Sequence, residues 1–253
     1  MLALVTGASS GIGYEISKYL STNMGYDIIA VGQNLERLKK LKNECSTKVI
    51  TESINLVDNN NCIKLFEKYN NEDIDILINC AGIGAIGCFN DISLNKDMEL
   101  INLNIMATHT ITKLFLNSMI EKNKGYILNV ASSAAFAPGP LMSTYYATKA
   151  YVLRLTRSIN KELRKTKSNV VVSVLCPGPV KTDFNERLGI NYSVKPITAE
   201  YVAKYSIDKL LKGKKVIIPG VKNKLGVLAS KFLPDCILEE YIFNMQKSKI
   251  KER

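Results

Sequence analysis

Leu2-Ala-Leu-Val-Thr-Gly7-Ala-Ser-Ser-Gly11-Ile-Gly13 decides how the chain is read. An apolar run of strand length, Leu2 to Thr6, leads into glycines and small residues, and an amphipathic helical pattern follows from Gly11 to Ser21. Glycine at Gly7, Gly11 and Gly13 lets the chain turn sharply and lets a diphosphate approach the N-terminus of the helix. The spacing is Gly-x-x-x-Gly-x-Gly, distinct from Gly-x-Gly-x-x-Gly, and no Gly-Lys-Ser/Thr follows, so a nucleoside triphosphate loop is excluded. A glycine turn alone is a weak signal. Its place after an apolar strand, with the Ser9 and Ser10 hydroxyls beside it, points to dinucleotide binding.

The same alternation continues outward from this stretch. Strands are expected near Leu2 to Thr6, Asp27 to Gly32, Val49 to Ile54, Ile74 to Asn79, Tyr126 to Ala131, Val170 to Leu175 and Val216 to Pro219. Helical patterns separate them at Gly11 to Ser21, Leu35 to Glu44, Asn59 to Tyr69, Met98 to Asn123, Thr144 to Leu163 and Thr198 to Leu211. Strands apolar on both faces and alternating with helices predict an α/β fold: a doubly wound, Rossmann-like, seven-stranded parallel sheet with helices on both faces. No linker or repeat divides the chain, so residues 1–253 are read as one dinucleotide-binding and catalytic domain. In such sheets a ligand binds outside the carboxyl ends of the strands. Those positions are held by Gly7 to Gly13, Gly32-Gln-Asn34, Asn55, Asn79-Cys-Ala-Gly82, Ser132-Ser133 and Pro177-Gly-Pro-Val-Lys-Thr182.

Composition removes several classes of function. The 253 residues are 46% apolar and 23% charged, an ordinary globular balance. No apolar run approaches the roughly 18 to 20 residues of a spanning helix, and a cytoplasmic location is expected. Six scattered cysteines without a Cys-x-x-Cys pair and a single histidine, His109, predict neither a disulfide scaffold nor a metal site. The net charge of +11 comes mostly from lysines spread along the chain, which reads as a solvated surface and not as a nucleic-acid site.

Tyr145-Tyr-Ala-Thr-Lys149 opens a helical stretch, and the i,i+4 spacing puts phenol and ammonium on one face. A phenol with a pKa of about 10 is a poor acid at neutral pH, but a neighbouring ammonium and the positive ring of an oxidised nicotinamide would both favour the phenolate. Tyr145 is therefore expected to titrate below its usual range and to pass a proton to or from a substrate oxygen. Ser132, at the end of the fifth strand, offers a hydroxyl to the same oxygen. Ser133 competes for that role, because one residue of register reverses which side chain points inward. For the coenzyme, the position twenty residues beyond Gly13 is Gln33, where an acid would chelate a free ribose diol. Gln33 and Asn34 carry no charge and Arg37 lies one turn further, so NADP(H) is favoured and NAD(H) remains an alternative.

Taken in order, Thr6-Gly7-Ala-Ser-Ser-Gly11-Ile-Gly13, Asn79-Cys-Ala-Gly82, Asn104, Ser132, Tyr145-x-x-x-Lys149 and Pro177-Gly178 with Thr182 resemble the short-chain dehydrogenase/reductase superfamily in its compact single-domain branch. The likeness covers about the first 220 residues. It implies Tyr145 as general acid/base, Ser132 as holder of the carbonyl, Lys149 on the nicotinamide ribose and Asn104 as anchor of a water, with Asn102 the competing choice. It further implies a cofactor site of Gly7, Ser9, Ser10, Gly11, Ile12, Gly13, Gln33, Asn34, Asn55, Asn79, Ala81, Gly82, Tyr145, Lys149, Pro177, Gly178, Val180 and Thr182, with Val180 and Thr182 at the carboxamide. Cys80 and Asn55 depart from the pattern, as do Gln33 and Ser10, where relatives that prefer NADP often carry a basic residue.

The expected activity is an NAD(P)(H)-dependent interconversion of a carbonyl and an alcohol. The competing readings are an idle nucleotide-binding or sensor protein and a basic peripheral membrane protein. The resemblance implies that residues 183–195, after Thr182, form the substrate loop. Phe89, Phe136, Met142, Phe184, Leu188 and Tyr192 are candidates for an apolar pocket suited to a mostly apolar small molecule. The resemblance implies an interface on the long helices Met98 to Asn123 and Thr144 to Leu163, whose apolar positions exceed what one sheet face requires, and so a homodimer or tetramer. The tail, residues 221–253, reads as two short amphipathic helices broken at Pro234. Its basic residues permit contact with an anionic membrane, but packing over the protein's own apolar surface is the favoured reading.

Overall fold

The computed structural model describes residues 1–192 and 195–249. Seven parallel strands form the sheet: β1 (Leu2–Thr6), β2 (Asp27–Gly32), β3 (Val49–Ser53), β4 (Ile74–Asn79), β5 (Tyr126–Val130), β6 (Val171–Leu175) and, after a separate pair, β9 (Val216–Ile217). Their order is β3-β2-β1-β4-β5-β6-β9, so the winding reverses between β1 and β4. A crevice opens at such a point because the helices that follow the two strands pack on opposite faces. The separate pair, β7 (Val180–Lys181) and β8 (Ile197–Thr198), brackets the segment expected as a substrate loop.

Alternation along each strand distributes the core to both faces. Ala3, Val5, Ile76, Ile78 and Leu128 meet Ile16, Leu20, Leu38, Val202 and Ile207 from α1 (Gly11–Met24), α2 (Leu35–Glu44) and α8 (Ala199–Leu211). Leu4, Leu77, Ile127 and Val172 meet Leu65, Ile111, Phe115 and Met119 from α3 (Asn59–Tyr69) and α5 (Thr108–Glu121). The sequence expectation of a doubly wound sheet is met, and four strand ends are corrected. The last strand is two residues long instead of four, since only Val216 and Ile217 find register partners on β6.

The expected helix from Met98 begins four residues earlier. Ser93 caps α4 (Leu94–Ile101), its Oγ accepting from Lys96 N at 3.3 Å. The helical path from α4 to α5 passes through a π-turn, Asn102–Ala107, which widens the coil around Asn104. Asn104 is buried there while Asn102 is half-buried, which separates two residues that the sequence leaves interchangeable. The other long helix, α6, runs Ser143–Lys165.

The tail folds as α9 (Val221–Ala229) and α10 (Asp235–Lys247), with Pro234 at the start of the second helix. Leu238 and Ile242 of α10 pack against Met142 and Tyr146, while Leu225, Phe232 and Tyr241 are exposed. Among the described residues no helix is long and apolar enough to cross a membrane.

A buried polar ladder ties helices to the middle of the sheet. Asn79 Nδ2 donates to Asn129 Oδ1 at 2.9 Å and to Thr112 Oγ1 at 3.0 Å, and Asn129 Nδ2 donates to Thr156 Oγ1 at 3.0 Å. Removing the middle member strands buried donors without water to receive them. Asn129→Ala is expected to cost about 2–4 kcal/mol in urea unfolding, and a loss under about 1 kcal/mol would remove the ladder from the account.

Candidate active site

The glycine loop is built by close approach. A Cβ on Gly13 would lie 2.5 Å from the Gly7 carbonyl oxygen, and one on Gly7 would lie 2.8 Å from the Ala81 nitrogen. Gly7 itself sits at φ +70°, in the left-handed region. Thr6 joins the two loops at the switch point, its Oγ1 accepting from Cys80 N at 3.1 Å and Ala81 N at 3.2 Å. The first turn of α1 carries no side-chain cap and no acid, so its free N–H groups face the crevice.

That crevice has a volume of about 450 Å³. Gly7, Ser9, Ser10, Gly11, Ile12 and Gln33 line one end, and Ser132, Tyr145 and Lys149 line the centre. Ala81, Gly82, Pro177, Gly178, Val180 and Thr182 bridge the two. Ser132 follows β5 and accepts from Ala134 N at 3.1 Å, which starts a short 3-10 turn and fixes its hydroxyl. Tyr145 and Lys149 project from the first turns of α6, and the Lys149 Nζ donates to the Val130 carbonyl at 3.1 Å. Asn104 spans to the loop after β4: Nδ2 donates to Ile83 O at 2.9 Å and to Thr148 Oγ1 at 3.0 Å, and Oδ1 accepts from Ile83 N at 3.0 Å.

Comparison with known proteins agrees with this geometry. The profile of the short chain dehydrogenase family matches residues 1–192. The chain belongs to the short-chain dehydrogenase/reductase family. An uncharacterized oxidoreductase of Staphylococcus epidermidis is 34% identical over 195 residues, which span 74% of this chain and 83% of that protein. A 3-oxoacyl-(acyl-carrier-protein) reductase of Rickettsia prowazekii is 31% identical over 186 residues, 74% of this chain and 75% of that one. Among solved structures, a short-chain dehydrogenase from Sphingobium yanoikuyae in complex with NADPH superposes with a TM-score of 0.81 at 26% identity, covering 91% of this chain and 93% of that one.

Within this short-chain dehydrogenase fold, four residues expected at the cofactor stand back from the crevice, Gly13 among them, packed on the Gly7 carbonyl. Asn34 spends its oxygen capping α2, accepting from Arg37 N at 2.9 Å. Asn55 accepts from Gln33 Nε2 at 2.8 Å and from Val57 N at 3.1 Å, so it braces Gln33. Asn79 turns into the polar ladder. Of the apolar candidates, Met142, Phe184 and Tyr192 line the crevice. Phe89 is 67% exposed, and neither Phe136 nor Leu188 reaches the lining. The segment expected as a substrate loop folds partly as α7 (Asp183–Arg187), which lays the Phe184 ring 5.4 Å from that of Tyr145; Ser193 and Val194 lie outside the described residues. Sequence reasoning missed Met245, Gln246 and Lys249, which line the crevice from the tail. Gln246 Nε2 donates to Tyr146 Oη at 2.7 Å, a contact across 100 residues that no local pattern announces.

Among the protein's own groups, burial dominates the electrostatics of the site. Burial pushes the Tyr145 phenol up to about 12, against a hydrogen bond from Ser132 that pulls it down. Lys149 does not reverse this: its ammonium sits 5.7 Å from the ring centroid and is itself drawn down to about 8 by burial. Among the described residues no carboxylate pairs with it. A buried ammonium without a counter-anion and an uncapped helix start fit the diphosphate and ribose hydroxyls of a dinucleotide.

The Lys149 shift has a stability consequence. Between pH 8 and 10.5 the unfolded chain holds a proton that the folded chain has lost, so stability rises with pH across that window. At pH 7 both states are charged and the full penalty, up to ~3 kcal/mol, is present. Lys149→Met is expected to be more stable than the parent at pH 7 by ~1–3 kcal/mol in urea unfolding, with the gain fading by pH 10.5. A variant less stable at pH 7 would contradict the assignment.

Proposed function

We propose that the protein is an NAD(P)(H)-dependent oxidoreductase that interconverts a carbonyl and an alcohol, with NADP(H) favoured. The observation that carries this reading is the convergence of Ser132, Tyr145 and Lys149 in the crevice whose far end is the glycine loop. Gly7 to Gly13 would hold the diphosphate, Lys149 the nicotinamide ribose, and Val180 and Thr182 the carboxamide. A nicotinamide dinucleotide bound there supplies hydride to a carbonyl carbon or accepts it from an alcohol.

The protein's own share is the proton. With a pKa near 12 the Tyr145 phenol is fully protonated at neutral pH, which suits it to donate to the oxygen of a carbonyl as that carbon is reduced. Ser132 donates a hydrogen bond to the same oxygen, so the developing charge meets two positioned donors. In the oxidative direction the phenolate must form, and the Ser132 hydrogen bond and the Lys149 charge favour it. Asn104 acts as a positioning residue. Its side chain is committed to Ile83 and Thr148, which holds the loop after β4 against α6.

Leu103, Met142, Phe184, Ile190 and Met245 around Tyr145 favour a mostly apolar small-molecule substrate. The uncharged Gln33 and the lack of an acid at the end of β2 support NADP(H). Exposed Leu94, Met98, Met106 and Ile120 on the α4 to α5 path, with Tyr151 on α6, support a homo-oligomer built on these helices. Sedimentation at micromolar concentration is expected to give a dimer or larger, and a monomer would contradict it.

Consumption of NADPH over a panel of ketones and aldehydes tests the chemistry. Tyr145→Phe is expected to bind cofactor as the parent does and to lose turnover by at least about a thousandfold, since only the proton donor is gone. Ser132→Ala should lose about a hundredfold or more, and Ser133→Ala less than about tenfold. Reversed serine effects would move the carbonyl-holding role to Ser133, and no turnover in the parent on any carbonyl would overturn the proposal.

A further inference from the structure

The adenosine end of the crevice carries no basic residue at Gln33 or Ser10, yet it is not without positive charge. The end of β2 abuts the glycine loop: a Cβ on Gly32 would lie 3.0 Å from the Ser9 Oγ. Over this junction hangs Arg187 of α7, which donates from Nη2 to the Ser10 Oγ at 2.7 Å and lines the crevice with Ser9, Ser10, Gly32 and Gln33. The same Nη2 lies 3.8 Å from Asp183, and Asp183 is also gripped by Arg37 from α2. Two guanidiniums, one from α2 and one from α7, thus share one carboxylate. Among the described residues neither pairs with another acid.

We propose that Arg187, carried by the substrate loop, reads the 2'-phosphate that distinguishes NADP(H) from NAD(H). The inference rests on the proposed dinucleotide function and assigns its coenzyme preference to a residue outside the β2 terminus. An arginine fork matches phosphate geometry, and the phosphate of the bound coenzyme supplies the second negative charge that two arginines and one aspartate lack. Leaving Asp183 costs little, because Arg187 is exposed and Asp183 only half-buried, and surface pairs of this kind contribute about 0–1 kcal/mol. The position of Arg187 gives the contact a further consequence. α7 is the helix whose Phe184 lies against Tyr145, so a phosphate that anchors Arg187 to the glycine loop also holds the apolar lid over the proton donor. Coenzyme identity and closure of the substrate pocket are set by one helix of five residues.

Equilibrium titration of NADPH and NADH, followed by the fluorescence of the dihydronicotinamide, tests this without turnover. In the parent NADPH is expected to bind at least tenfold tighter than NADH. Arg187→Ala should weaken NADPH at least tenfold and NADH less than threefold, and adenosine 2',5'-bisphosphate should lose affinity in step with NADPH while AMP does not. Equal loss for both coenzymes would place Arg187 on the shared diphosphate and overturn the inference, as would no loss for either. A parent chain that binds neither coenzyme would instead overturn the proposed function.

Discussion

The contact between the Gly7 carbonyl and the first turn of α1 is the constraint from which the rest follows. At 2.5 Å from an imagined Cβ on Gly13 there is room for hydrogen and nothing larger. The helix can therefore descend onto the end of β1, and its uncapped N-terminus points along the crevice where the sheet reverses between β1 and β4. Thr6 holds the loop after β4 in register with the glycine loop, so the floor of the crevice is mostly backbone. Main-chain N–H groups fixed in this way attract a diphosphate without any side chain having to reorganise.

Around that floor the charged and apolar parts are separated. Lys149 is the buried cation at the centre, held by the Val130 carbonyl and without a carboxylate of its own. Phe184, Met142 and Met245 pack against the half-buried Tyr145 from three different segments, and burial keeps the proton on its phenol. The same burial that destabilises Lys149 as a charge prepares it for a ligand that accepts hydrogen bonds. A stability cost at a site of this kind is what a functional reading leads one to expect.

Much of this was legible in the sequence, and the exceptions have physical causes. The seven strands and the order of Gly7 to Gly13, Ser132, Tyr145 and Lys149 could be read because periodicity and loop chemistry are local properties. Strand ends and the π-turn at Asn104 were less legible, since they are settled by partners distant in sequence, whereas the start of α4 at Ser93 is a local cap that the apolar pattern read from Met98 overlooked. Asn34 and Asn79 sit at the right ends of their strands, but capping and the polar ladder claim their side chains. The titration of Tyr145 was less legible for a related reason: i,i+4 spacing places Lys149 on the same face, but among the protein's own groups burial dominates both side chains. Gln246 and Lys249 of the tail could not be assigned to the crevice without knowing where α10 packs.

The central claim is that this crevice receives a nicotinamide dinucleotide, and direct binding tests it. Calorimetric titration of the full chain with NADPH at neutral pH is predicted to give saturable binding at one site per chain, together with a rise in the temperature of unfolding. No heat of binding and no thermal shift with NADPH or NADH, up to millimolar coenzyme, would contradict it.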